Sequence, residues 1–406
     1  MYAFLALTAR ALGPDRYGAL SALWALVFLL GPGVFFPVEQ EVSRAVATRH
    51  AAGFGSGPLV RRAAVLAAGL ASLLAVATAA LASPLLGDVF DGQLLMLGGL
   101  IASLFGYAAT HLVRGMLSGT GRFRPYGLLL GCEGLLRLTL AGALIAVGVR
   151  TAGPFGLVVG LAPSLAVCVV LLGQAGLLLP GPPAPWRELS RSLGLLLAGS
   201  LLAQVLIHAG PIAVRLLADD QDRDVTGRFS AGLLLTRVPL FLFLAVQAAL
   251  LPRLSACVAN GDRVGFRAVL NQILTITVFT GAASVVAAVV AGPFALGVVF
   301  GAKFVLGRLD LALLATSTAC VMIGLAMGQA LVALGRQGRT TASWLAGVAA
   351  FGVFIVFPGD PVLRVELGLV LGSSVAAGAM ALALRGAILE SAVLIVPGSS
   401  QCGAAG

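Results

Sequence analysis

Arginine inside an apolar span is the feature of this chain most able to do chemistry. Arg137 lies thirteen residues beyond Arg124 (137 − 124 = 13), about 19 Å along a helix. Arg237 lies nine residues beyond Arg228 (237 − 228 = 9), about 14 Å deep. Arg215 closes an apolar span over 194–217, near its mouth. A charge held in a bilayer costs about 2.5–3.5 kcal/mol or more, so it faces a cavity or a partner. Guanidinium presents a planar fork of donors suited to phosphate. Three such groups converging on one hollow would attract a diphosphate.

Neighbouring side chains leave two readings open. Glu133 precedes Arg137 by one helical turn on the same face. The pair is either an internal salt bridge that holds the bundle, or Glu133 orients Arg137 toward a lumen. Gln204, His208 and Arg215 share a helical stripe beside Pro211, which can kink the backbone. His208 is either a satisfied interhelix hydrogen bond or a cavity-lining, proton-sensitive group. Arg237 is followed by Pro239; its depth argues against snorkelling and leaves a partner carbonyl or, as the favoured reading, a cavity. His111 and Arg114 read as a charged helix end. Arg44 and Arg253 close helices on one side, as an inner gate or as plain topological anchors.

The surroundings of these residues exclude most classes of protein. The chain has 406 residues, 59% hydrophobic and 10% charged, against about 25% charged in soluble domains. It reads as an integral membrane protein, with no cleavable signal pattern in Met1–Leu12. The net charge of +10 resides mostly in short loops, so nucleic acid is not an expected partner and membrane lipid headgroups are. The cysteines are scattered without metal-ligand spacing, so neither zinc nor a disulfide framework is expected. No nucleophile elbow, Walker loop or metalloprotease motif is present, and no enzyme activity or cofactor is expected.

Apolar spans fall at 17–38, 63–84, 93–113, 125–149, 154–178, 194–217, 228–250, 268–291, 311–334, 342–358 and 366–384, after a stub at Met1–Leu12 too short to cross a bilayer. Alternate loops carry 15 basic residues on one side and 8 on the other, where Asp15, Asp88, Asp91, Asp219, Asp220, Asp222, Asp224, Asp310 and Asp360 collect. The basic side, with the tail, should be cytoplasmic. Gly13-Pro14-Asp15-Arg16 reads as a chain reversal on the other side.

The chain also repeats. Gly18, Ser21 and Arg44 match Gly227, Ser230 and Arg253 at one offset (227 − 18 = 230 − 21 = 253 − 44 = 209). Gly121-Arg122 matches Gly335-Arg336 (335 − 121 = 214). Parallel halves about an axis along the membrane normal are a transporter plan. The expected division is a transmembrane lobe over 1–178, a proline-rich cytoplasmic linker over 179–193, a second lobe over 194–385 and a disordered tail over 386–406.

Ala11-Leu12-Gly13-Pro14-Asp15-Arg16-Tyr17-Gly18, followed by an uncharged span and the exit Glu39-Gln40-Glu41-Val42-Ser43-Arg44, resembles the polysaccharide flippases of O-antigen and teichoic-acid type. These share a superfamily with multidrug and toxin extrusion antiporters. The resemblance implies an all-α polytopic fold of two six-helix lobes, against which the first helix here is incomplete: either the start is truncated or misassigned, or this helix is a remnant. It implies alternating access in the plasma membrane and a polyprenyl-diphosphate-linked oligosaccharide as substrate, with glycan-assembly proteins as possible partners. The substrate-binding set would be Arg137, Arg215, Arg237, Gln204, His208 and Glu133. A multidrug cation antiporter is the alternative, although Glu133 is the one acid counted deep in the spans. A non-transporting scaffold of a glycan-synthesis complex is the other, and a membrane glycosyltransferase ranks behind both.

Overall fold

A computed structural model describes residues 1–174, 178–186, 189, 193–218 and 223–393; for 244–249, 251–252 and 391–393 it describes the backbone alone. Asp219, Asp220, Asp222 and the tail from 394, with Cys402, lie outside the described residues. Among those described, the chain is all helical: α1 (Tyr2–Ala51), α2 (Gly57–Ala80), α3 (Ala82–Pro84), α4 (Leu94–Gly119), α5 (Phe123–Ala146), α6 (Ala152–Leu171), α7 (Leu193–Leu217), α8 (Arg223–Thr236), α9 (Val238–Ala259), α10 (Arg263–Val299), α11 (Arg308–Ala333), α12 (Gln337–Ile355) and α13 (Pro361–Val393). Nine of them are long and apolar enough to cross a membrane.

Several boundaries differ from the sequence reading. The tail expected as disordered from 386 is helical as far as Val393. The stretch expected as a loop from Glu39 continues as helix to Ala51. The span expected over 228–250 is two helices that meet at Arg237, because Pro239 removes a backbone donor and clashes with the preceding turn. The expected reversal at Gly13–Arg16 is compressed into one residue: Gly13 takes φ 75° and ψ 167°, open to a residue without Cβ. Beyond it the chain doubles back, so that Phe4 stacks on Trp24 at 5.7 Å. The short segment Tyr2–Leu12 is thus a packed strut, with Phe4, Leu5, Thr8 and Ala9 all buried.

The repeat is visible in backbone geometry. Gly121 and Gly335 adopt φ 71° and 72°, and the following Arg122 and Arg336 both donate backbone N–H bonds of 2.8 Å, to Leu117 and Leu331. These are matching glycine-terminated helix ends that satisfy orphan carbonyls. More telling, repeat-equivalent residues touch each other. A Cβ on Gly18 would come within 3.2 Å of the Arg223 carbonyl, and one on Gly227 within 2.1 Å of the Pro14 carbonyl. Ser21 Oγ and Ser230 Oγ lie 2.8 Å apart. Self-pairing of equivalent residues is what a two-fold axis between the halves requires.

Packing follows the same plan. One hydrophobic core belongs to the second half (Phe229, Leu254, Leu314, Met380) and one to the Ala51 end of the first half (Val42, Leu59, Leu117, Leu129). A third joins both halves near Gly13, where Tyr17, Phe90 and Phe155 share a cluster with Leu296, Phe300 and Phe304. Of the G-x-x-x-G pairs, Gly156/Gly160 clasps Gly99 and Gly372 clasps Gly347, at backbone distances that leave no room for a Cβ. Gly127 and Gly131 touch nothing and serve no such clasp.

The halves therefore meet closely at the Gly13 end. Introducing cysteine at Ser21 and Ser230 together should give a spontaneous disulfide, because the hydroxyls already sit at bonding distance. The expected readout is a reductant-reversible mobility shift and arrest of any lobe motion; absence of the crosslink would mean that this closure is not populated.

Candidate functional site

The break between α8 and α9 positions the most unusual side chain in the structure. Arg237 is the N-cap residue of α9, and its N–H reaches back to Leu234 at 3.3 Å rather than continuing the α ladder. Its side chain is 8% exposed. Among the described residues it has no ion pair or hydrogen bond, and it lines a cavity between the halves. The break makes this tolerable: α8 ends beside the guanidinium with its negative pole, and α9 begins there with its positive pole. Guanidinium and helix N-terminus together form a site that favours an anion.

The other walls are Trp24, Phe28, His208, Pro211, Ser230 and Phe241. Trp24 and Phe28 stack at 4.5 Å, and Phe28 meets the His208 ring at 5.8 Å. Ser21 and Ser230, in contact with each other, form part of the cavity wall. The cavity encloses about 40 Å³, room for a few water molecules. Any larger ligand requires the halves to part.

The sequence reading brought three arginines to one hollow; the structure does not. Arg137 lies behind Trp24, its guanidinium 5.2 Å from the indole centroid. It pairs with Glu133 at 2.6 Å and donates to the Tyr107 hydroxyl at 2.9 Å, while Tyr107 donates to Glu133 at 3.2 Å. Of the two readings of Glu133 and Arg137, this geometry is the internal salt bridge. Arg215 is ion-paired with Asp91, which Arg223 also reaches at 2.8 Å. That is a tie between the halves near Gly13, and Arg215 is absent from the cavity wall. Gln204 is packed beside Gly33, its Oε1 buried without a hydrogen bond among the described residues. Arg44 pairs with Glu41 and is half exposed, and Arg253 is exposed. From the predicted set, Arg237 and His208 share the cavity.

Asp91 adopts φ 52°, rare for a residue with a Cβ. Its double ion pair is the physical reason that this conformation persists. Asp91→Asn should loosen the Gly13 end: a cysteine placed at Ser21 should react with an impermeant thiol reagent about tenfold faster than in the parent. Unchanged labelling would leave the tie without a role in closure.

Several polar groups were misread or missed in the sequence. His111 is 2% exposed and not an interfacial end; its Nδ1 lies 2.6 Å from Glu39. Arg114 bonds Tyr126 at 2.6 Å, and Tyr126 donates to Glu39 at 3.1 Å. The i, i+4, i+7 spacing of Tyr107, His111 and Arg114 on α4 carried the signal. Glu366 is fully buried on α13, and neither oxygen has a hydrogen bond among the described residues. It was taken for the start of a span because the helix begins earlier, at Pro361.

With this geometry in place, comparison with known proteins shows what it is similar to. The chain superposes on the inward-facing structure of a multidrug resistance MATE family transporter of the MOP superfamily, with a TM-score of 0.73 at 14% identity, over 97% of this chain and 95% of that one. The fold is that of the MATE transporters. The outward-facing structure of such a transporter gives a TM-score of 0.65 over 97% of this chain and 92% of that one. An uncharacterised protein of Mycobacterium tuberculosis is 26% identical over 405 residues, covering 94% of this chain and 88% of the relative. A shorter stretch of 124 residues is 34% identical to the multidrug resistance protein PmpM of Pseudomonas aeruginosa, covering 29% of this chain and 25% of that protein. No family model matches the chain.

Proposed function

We propose that the protein is a membrane transporter that moves an anionic, lipid-linked substrate by alternating access, with Arg237 as the anion contact. The substrate class is a polyprenyl-diphosphate-linked oligosaccharide, carried from the inner to the outer leaflet of the plasma membrane for cell-surface polysaccharide assembly. The MATE-type fold supports transport, and the excess of basic residues in alternate loops supports a cytoplasmic C-terminus and Ala51 end. The observation that carries the reading is one guanidinium, buried and without a counter-ion among the described residues, on the wall of a cavity between two halves. Such a group costs stability unless a ligand supplies the missing charge. Aromatic walls beside it, Trp24 and Phe28, offer faces against which sugar rings can stack.

A second reading, a multidrug cation antiporter, is favoured by the stretch similar to PmpM and by the buried carboxylate of Glu366. Glu366 does not line the cavity, whereas Arg237 does; a cation meeting Arg237 there would be repelled.

Proteoliposomes separate the two. Flipping of a short-chain polyprenyl diphosphate bearing one sugar should be at least about tenfold above empty vesicles, with no efflux of ethidium. Ethidium efflux without flipping would replace this reading by the antiporter.

A further inference from the structure

Directly behind the helix break lies a second hollow, open to the outside of the helix bundle. It encloses about 550 Å³ between the break and α10, lined on one side by Val238 and Pro239 and on the other by Phe279, Ala283, Ala287 and Ala291. The three alanines recur every fourth residue and so share one helix face. Their small side chains leave a channel where larger residues would have filled the space between the helices. Phe279 is 75% exposed and Val238 is 40% exposed. The lining is almost wholly apolar and nothing in the described chain covers it.

This groove and the cationic cavity are separated by a single helix. Arg237, on the cavity side, is flanked in sequence by Thr236 and Val238, both in the groove wall. Consecutive Cα atoms are about 3.8 Å apart, so an unsatisfied cation and an apolar trough lie within one residue of each other at a point where the helix is interrupted. A ligand matching both has an anionic head and a long hydrocarbon tail.

We propose that this groove seats the isoprenoid tail of the substrate while its diphosphate contacts Arg237, an assignment that rests on the function proposed above. The Arg10 side chain bonds the carbonyls of Val298 and Val299, which places the α10 end of the groove beside Gly13. By loop charge that is the outer half of the bilayer, where a flipped lipid is released.

The test uses the full chain in phosphatidylcholine nanodiscs and a radiolabelled short-chain polyprenyl diphosphate. Benzoylphenylalanine replaces Phe279 in the groove or, as control, Val353, a 64% exposed residue of α12. Labelling at 279 should exceed that at 353 by about tenfold, fall to the control in an Arg237→Gln background, and fall likewise when Ala287→Trp fills the trough. Equal labelling at both positions, with Arg237-dependent retention of the diphosphate intact, would overturn the tail site and leave the proposed function standing. Equal labelling by the uncharged polyprenol would also overturn it, marking the groove as a general lipid contact. Loss of any Arg237-dependent retention would overturn both.

Discussion

Replacing Arg237 with Met should make the protein more stable and functionally inert. A buried guanidinium with no ion pair or hydrogen bond among the described residues contributes an unfavourable term of about 2.5–3.5 kcal/mol on insertion scales. Methionine fills a similar volume without the charge, so thermal unfolding in detergent should shift upward. Binding should suffer in the opposite sense. A hydrogen bond to a charged group contributes about 1.5–3 kcal/mol, so affinity for a polyprenyl diphosphate should fall by roughly 10- to 150-fold. A gain in stability with a loss of binding is the signature of a side chain kept for its ligand. Were Arg237 a structural group, both quantities would fall together.

The second large effect is in the first half of the chain and concerns structure alone. Glu133 and Arg137 are each less than 10% exposed and satisfy one another with Tyr107. Glu133→Ala leaves Arg137 buried with its charge uncompensated, and the expected loss is about 3–5 kcal/mol. Glu133→Leu combined with Arg137→Met should be close to neutral, because both charges leave together. Chemical denaturation of the parent, the two single variants and the double variant would give the coupling. A double variant as unstable as Glu133→Ala would mean that the pair does more than neutralise itself.

These two arginines show how far the sequence could be read. Both sit deep in apolar spans, and depth was legible from spacing. Their fates differ because of residues distant in sequence. Tyr107 and Trp24 enclose Arg137 from other helices, whereas Arg237 faces the cavity between the halves; the third arginine, Arg215, is reached by Asp91 from a turn more than a hundred residues away. Convergence on one hollow was therefore not legible, and it does not occur. The two-fold plan was legible, since a turn ending in Gly121-Arg122 or Gly335-Arg336 needs that glycine at a left-handed position. The offset of 209 between Ser21 and Ser230 even marked the residues that meet at the axis. Helix ends were read less well. Glu366 was missed because an apolar run does not announce the turn of helix that precedes it, and Pro239 was noted after Arg237 inside a span read as one helix, which it divides in two.

What the structure leaves for the anion is thus one guanidinium at a helix break, with His208 and an aromatic wall around it. Equilibrium binding of a short-chain polyprenyl diphosphate to the protein in uncharged nanodiscs, measured for the parent and for Arg237→Met, tests this most directly. Saturable binding that inorganic diphosphate competes away, and that the substitution weakens by about tenfold or more, is the predicted result. Equal binding by both proteins, or displacement of the lipid by a cationic dye, would contradict it.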